Sequence, residues 1–404
     1  MTLASSSLVN VRAIKEATFG VTPGSGNPTN LRVTSESLSY DLSKKASDEI
    51  KSSRTVSSMI SVGATVTGNL AQEVHYAGIE PFMESALQST FTEFGTDGVG
   101  AATSTTSISA TEITAASATS GANIFTALKK GQWFRITSAG ANNGKILRVS
   151  TTTAPTTTVI TLDTNTPGAV SSSESIQIQA ARLTHGTTQT SWTIERENSD
   201  IGVFMAFKGC TPSKMSLKVA SGSLSTVSFD FMGQSALEGT ATMLPGTPVA
   251  APTYDIHSGV SGATNAIWMD GAPVSGTYVK SVSLDYDNAM RAQDPIGTLG
   301  AIGIGSGTLV AKATVEVYFA NKDLFTKFRQ NTNTSLIFAT TDSSGNGYIV
   351  TLPVACIESW KSNAGGKDQD QMISMSLYAL SDDSNADATL RKAIFVDRIG
   401  SAVV

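Results

Sequence analysis

SVGATVTGNLAQEVHY (61–76) decides how the rest of the chain is read. Apolar and polar residues alternate through it, the period of a strand with one face buried. Val66, Leu70 and Val74 fall on one face; Thr65, Thr67, Asn69, Ala71 and Glu73 fall on the other. The same period recurs in TLVAKATVEVYFAN (308–321), where Ala313, Val315, Val317 and Phe319 oppose Thr314, Glu316 and Tyr318. A helix is predicted after each strand. In IEPFMESALQS (79–89), Ile79, Phe82, Met83, Ala86 and Leu87 share one face, and Pro81 suits a first helical turn. In KDLFTKFRQN (322–331), Asn321 is the predicted cap.

Working outward, the chain contains an internal duplication. Ser37-Leu38-Ser39-Tyr40-Asp41 matches Ser283-Leu284-Asp285-Tyr286-Asp287. Glu73-Val74-His75-Tyr76-Ala77 matches Glu316-Val317-Tyr318-Phe319-Ala320, and Phe82 falls opposite Phe325. Further on, Pro212 to Val219 lies opposite Pro353 to Trp360, and Val227-Ser228-Phe229 opposite Ile373-Ser374-Met375. The order strand, loop, long strand, helix, strands is used twice. Residues 95–185 interrupt only the first use. Short strand candidates there, such as GQWFRIT (131–137) and TTVITLD (157–163), predict a small all-β module, sandwich or barrel.

Composition narrows the function. Of 404 residues only 15% are charged, against roughly 25% in an average soluble protein, and the net charge is −5. Such a chain lacks the clustered Lys and Arg of a protein that coats nucleic acid. Cys210 and Cys356 are too few for a disulfide framework and read as buried thiols. The N-terminal residues have no apolar core of a signal peptide, and no apolar run reaches membrane-spanning length.

Catalytic chemistry is not legible. His75, His185 and His257 lie far apart without metal-ligand spacing. Gly300, Gly303, Gly305 and Gly307 precede a strand, whereas a dinucleotide loop opens a helix. Glu195 and Glu197 share a strand face on either side of Arg196, which reads as a solvated polar face rather than an acid–base pair. The expectation is a non-enzyme with no metal and no cofactor.

An ordered set of motifs then resembles the tail tube (major tail) proteins of long-tailed bacteriophages. The pieces are Glu16-Ala17-Thr18-Phe19-Gly20, Val66 to Glu73, Thr193-Ile194-Glu195-Arg196, Val227 to Gly233, Leu284-Asp285-Tyr286-Asp287-Asn288 and Thr351-Leu352-Pro353. They cover roughly 10–95 and 186–381. The resemblance implies a mainly β fold: two tandem tail-tube-type β-sandwich domains, each with a short flanking helix, plus the inserted module. The predicted layout is an N-terminal arm (1–30), a first tube domain (31–95 and 186–240), the module (96–185), a linker (241–265), a second tube domain (266–381) and a C-terminal tail (382–404).

The same resemblance implies a structural virion protein, assembled in the host cytoplasm, whose rings stack into a hollow conduit for DNA ejection. Six tube domains usually make a ring, so a duplicated chain implies a homotrimer with pseudo-sixfold symmetry rather than a hexamer. Its partners are other copies of itself and tail proteins at the tube ends. The expectation is that DNA passes through the lumen without specific binding and that there is no membrane anchor. Thr65, Thr67, Asn69, Glu73, Thr314 and Glu316 are the lumen-facing candidates. Lys44, Lys45, Asp48, Glu49, Lys51 and Arg54 in one loop, and Arg291 and Asp294 in the other, are the inter-ring candidates. The alternative is a capsid decoration protein or other β-rich virion surface protein, which would not need duplicated strand–helix units.

Overall fold

In a computed structural model, residues 3–95, 99–100, 102–116, 125–163, 174–260, 267–273, 278–319, 323–363 and 366–400 are described. The alternating stretches become strands. β1 is Val9–Lys15, β2 Ser39–Ala46 and β3 Met59–Glu73, followed by helix α1, Glu80–Leu87. After the module come β4 (Ala181–Thr184), β5 (Trp192–Asn198), β6 (Val203–Ala220) and β7 (Thr226–Gly233). The second half supplies β8 (Val279–Asp287), β9 (Val310–Tyr318), helix α2 (Asp323–Gln330), β10 (Thr334–Thr341), β11 (Gly347–Asn363), β12 (Met372–Leu380) and β13 (Phe395–Arg398). The fold is mainly β, and Asn321 lies outside the described residues.

Eight of these strands form one continuous antiparallel sheet in the order β2-β3-β7-β6-β8-β9-β12-β11. The first four belong to the first half and the last four to the second. Both halves use the same strand order, and β6 pairs with β8 where they meet. Residues facing one another across the strands fix the repeat. One row runs Glu36, Leu70, Phe229, Met215. Its counterpart runs Val282, Val315, Met375, Trp360.

Two irregularities recur at equivalent places. The β6–β7 ladder slips between Pro212 and Lys214, the β11–β12 ladder between Ile357 and Ser359. The β5–β6 ladder slips between Trp192 and Ile194, the β10–β11 ladder between Thr334 and Leu336. A β-bulge costs a ladder bond and re-aims the strand, so its repetition marks shared architecture rather than chance. The structural register differs from the sequence matches. Glu73 corresponds to Tyr318 and Ala71 to Glu316, two residues from the Glu–Glu match. Pro212 corresponds to Ile357, four residues from the Pro–Pro match. Local identity misaligned segments whose true equivalence is set by pairing.

Helix α1 packs on β6 and α2 on β11, again in equivalent positions. Each ends on a left-handed residue, Gln88 (φ 53°) and Asn331 (φ 52°). Phe82 of α1 packs its ring against Trp192, Phe231 and Phe229 at 5.1, 5.2 and 5.6 Å. One contiguous apolar core runs through both halves, from Val11 and Leu70 to Leu377 and Val396. At Gly68, whose φ is 153°, an added Cβ would lie 2.5 Å from the Leu38 backbone, so glycine lets β3 and its neighbour approach there.

The outer layer departs from the predicted arm and tail. β1 pairs with β5 inside residues 1–30, and Val11 and Ala13 are buried. β13 pairs with both β4 and β11 inside residues 382–404. Both segments alternate or carry apolar runs that need a partner, and the sheets supply one.

The module is a closed six-stranded sheet. Its strands run in the order Ile146–Arg148, Trp133–Ser138, Ser175–Gln179, Thr103–Ile108, Glu112–Ala115, Val159–Thr161. Bonds from Ser150 N–H to Thr161 O and from Asp163 N–H to Arg148 O join the first strand to the last. It has its own core, built on Phe134, Ile136, Ile160 and Ile178. It docks through Trp133 and Ile146 onto Trp268, Ile337 and Ile349 of the second half, although it interrupts the first.

Candidate assembly surfaces

The face of the eight-stranded sheet opposite the core is polar along its whole width. Thr65 and Thr67 are exposed there; Asn69, Glu73, Thr314 and Glu316 are half-buried. All six predicted lumen residues therefore lie on one face of one sheet. Hydrogen bonds cross between strands along it. Asn69 donates to Asp230 (2.6 Å), Ser216 to Asp285 (2.6 Å) and Ser281 to Glu316 (2.9 Å). Lys214 pairs with Asp287 (2.9 Å) and Lys312 with Glu358 (2.8 Å).

Sequence reasoning missed most of the charge on this face. Its carboxylates are Asp41, Glu73, Asp230, Asp285, Asp287, Glu316 and Glu358, and its ammonium groups include Lys214, Lys218, Lys280, Lys312 and Lys361. Carboxylates outnumber ammonium groups on this face among the described residues. The signal was present in KMSLKVA and SLDYDN, where every second residue is polar.

The two predicted loops behave differently. β3 meets β7 only from Val66 onward, so the first half of β3 and the end of β2 pair with each other alone. This hairpin carries exposed Lys44, Lys45, Asp48, Glu49, Lys51 and Arg54, with Lys51 3.8 Å from Glu49. It also carries exposed Ile50, Val56, Met59, Ile60 and Val62, a concentration of apolar surface that marks an interaction site. The equivalent loop in the second half folds back on the first. Asn288 donates to Ala86 O (2.8 Å), Gln88 to Ser306 (2.6 Å) and Gln234 to Ala301 O (2.9 Å). Arg291 and Asp294 remain exposed beyond these contacts.

Buried carboxylates brace the framework. Glu16 accepts bonds from Ser191 Oγ (2.6 Å), Thr193 Oγ1 (2.8 Å), Gly20 N–H (2.8 Å) and Gly209 N–H (2.9 Å). This accounts physically for Glu16 and Gly20 in one short motif. Glu195 is buried, contrary to the solvated reading. It accepts from Thr242 Oγ1 and Met243 N–H, both at 2.7 Å, with Arg12 3.6 Å away. The conformation of residues 242–243, beyond the strand, supplies the donors, which strand periodicity does not reveal.

The histidines are also structural. Burial pushes His75 below the ordinary imidazole range, and pushes His185 and His257 down to about 4. His257 Nδ1 lies 3.1 Å from Thr340 Oγ1. An unfolded histidine takes up its proton near pH 6.5, the folded one only near 4, so acidification through that window favours the unfolded state. His257 alone is expected to remove about 2 kcal/mol of stability between pH 8 and pH 5, measurable by denaturant titration. A His257→Asn variant should lose this part of the pH dependence.

Among the described residues no group of three His, Cys, Asp or Glu side chains is placed to hold a metal ion, and no helix is long and apolar enough to cross a membrane. A family model described as phage tail tube protein matches residues 6–379 of the chain. No curated protein sequence matches it.

Proposed function

The chain belongs to the phage tail tube protein family, a family of structural virion components, and from that premise we propose that it polymerises into stacked rings forming a DNA conduit. The observation that carries the proposal is the repeated four-strand order within one eight-stranded sheet. The two halves are already joined as neighbours in a ring would be. Three chains complete six such units, and a closed barrel leaves no unpaired sheet edge.

In this reading the polar face lines the lumen, with Thr65, Thr67, Asn69, Glu73, Thr314 and Glu316 on it. Its excess of carboxylates repels phosphate, and Lys214 and Lys312 are tied to Asp287 and Glu358, so DNA slides rather than binds. The module, docked on the outer side of the second half, decorates the exterior. Other tail proteins cap the tube ends. A capsid decoration protein would leave the repeated strand order without a purpose.

The hairpin carrying Lys44, Lys45, Asp48, Glu49, Lys51 and Arg54 reaches the neighbouring ring, as do Arg291 and Asp294. Deleting residues 44–56 is expected to leave single rings that no longer stack. Negative-stain microscopy showing tubes of normal length would overturn this assignment.

A further inference from the structure

We propose that the ring closes through one defined ladder, in which the β11 edge of one chain pairs antiparallel with the β2 edge of the next, Lys361 opposite Ser39 and Trp360 opposite Tyr40. The proposal rests on the ring reading above and specifies its junction.

The register follows from the junction inside the chain. There β6 meets β8 with Met215 facing Tyr286 and Ser216 facing Asp285. The pairing rows make Trp360 the counterpart of Met215, and Tyr40 that of Tyr286. Carrying the internal junction over by one repeat places residues 359–363 of β11 against residues 37–41, where β2 begins, and fixes these pairs.

Burial points the same way. Met215 and Tyr286, directly opposite one another, are each 2% exposed. Their counterparts Trp360 and Tyr40 are only half-buried, and Ser362 is exposed where Leu217 is 4% exposed. The missing cover is what a second chain would supply. Polar roles carry over too. Ser216 donates to Asp285 inside the chain, and Lys361 would supply the donor opposite Ser39, within diagonal reach of Asp41.

Hydrogen bonds Ser221 N–H to Lys280 O and Asn288 N–H to Ser213 O fix the phase of the internal ladder. Ser216 and Asp285 therefore form a non-hydrogen-bonded pair, the type whose side chains stand closest. The pair Lys361 and Ser39 inherits that geometry and suits a disulfide.

The test uses the full chain with Cys356→Ser, since Cys356 is a half-buried free thiol on β11. Lys361→Cys is combined with Ser39→Cys, and as a second in-register pair Ser359→Cys with Asp41→Cys. Lys361→Cys with Ser43→Cys is the control, about 13 Å out of register. Assembled rings are oxidised and run on non-reducing gels. The expected result is loss of the monomer band into dimers and closed trimers for the in-register pairs, with the control left monomeric. Rings that form yet link through neither in-register pair, or that link through Ser43, overturn the register and leave the ring reading standing. A parent chain that forms no rings overturns both.

Discussion

Tyr40→Pro is expected to leave a folded monomer that forms neither rings nor tubes. Ser37 N–H bonds to Asn69 O, so Ser37, Ser39 and Asp41 direct their ladder groups toward β3. By alternation the Tyr40 N–H points the other way, out of the sheet edge. Proline there removes no bond within the chain and fits an edge strand. It deletes a donor at the centre of the proposed junction and places a ring where the next chain's backbone must approach. The fold should lose about 1–3 kcal/mol, from the half-buried aromatic ring. The assembly loses the same junction at every subunit boundary, so the effect on polymerisation is complete. Circular dichroism and analytical ultracentrifugation separate the two effects. Tubes from the proline variant would contradict the edge assignment.

Arg182→Met is expected to destabilise the chain by about 3–5 kcal/mol. The Arg182 guanidinium grips Asp397 with Nε–Oδ1 at 2.6 Å and Nη2–Oδ2 at 2.7 Å, and the carboxylate side chain is completely buried. Arg182 also donates to Gly131 O (2.9 Å), while Trp133 N–H donates to Asp397 (3.1 Å). These bonds tie β4, the turn of the module that precedes its Trp133–Ser138 strand, and β13 together. Removing the cation leaves a buried carboxylate without its partner, which costs more than the pair contributes. Arg182→Met with Asp397→Leu removes both charges and should recover most of the loss. A single variant within 1 kcal/mol of the parent by denaturant titration would contradict this account.

Much of the fold was legible because strand periodicity is local. The alternation in 61–76 and 308–321 gave β3, β9 and their faces, and the helical spacing of Phe82, Met83, Ala86 and Leu87 gave the buried side of α1. The duplication was legible in order but not in register. Glu73 drew Glu316 and Pro212 drew Pro353 by identity, while the bulges at Pro212/Lys214 and Ile357/Ser359 set the true equivalence. Bulges arise from pairing between distant strands, which a single segment does not encode.

The lumen candidates were legible as a polar face. The other carboxylates and lysines on it were not gathered, because only the sheet order brings Asp230, Asp285 and Glu358 beside them. β1 and β13 were set aside as arm and tail because β1 pairs with β5 about 180 residues away, and β13 with β4 about 210 and with β11 about 50 residues away, none of them a local partner. The two loops looked equivalent. Their different conformations depend on contacts such as Asn288 to Ala86, which the sequence pattern does not contain.

The central claim is that three chains close one barrel from their eight-stranded sheets. Cryo-electron microscopy of the purified, polymerised chain tests it most directly. A hollow tube with three chains per ring, and a continuous wall in which β11 of each chain adjoins β2 of the next, is the predicted result. A ring of six chains, a wall built from other strands, or particles without a lumen would contradict it.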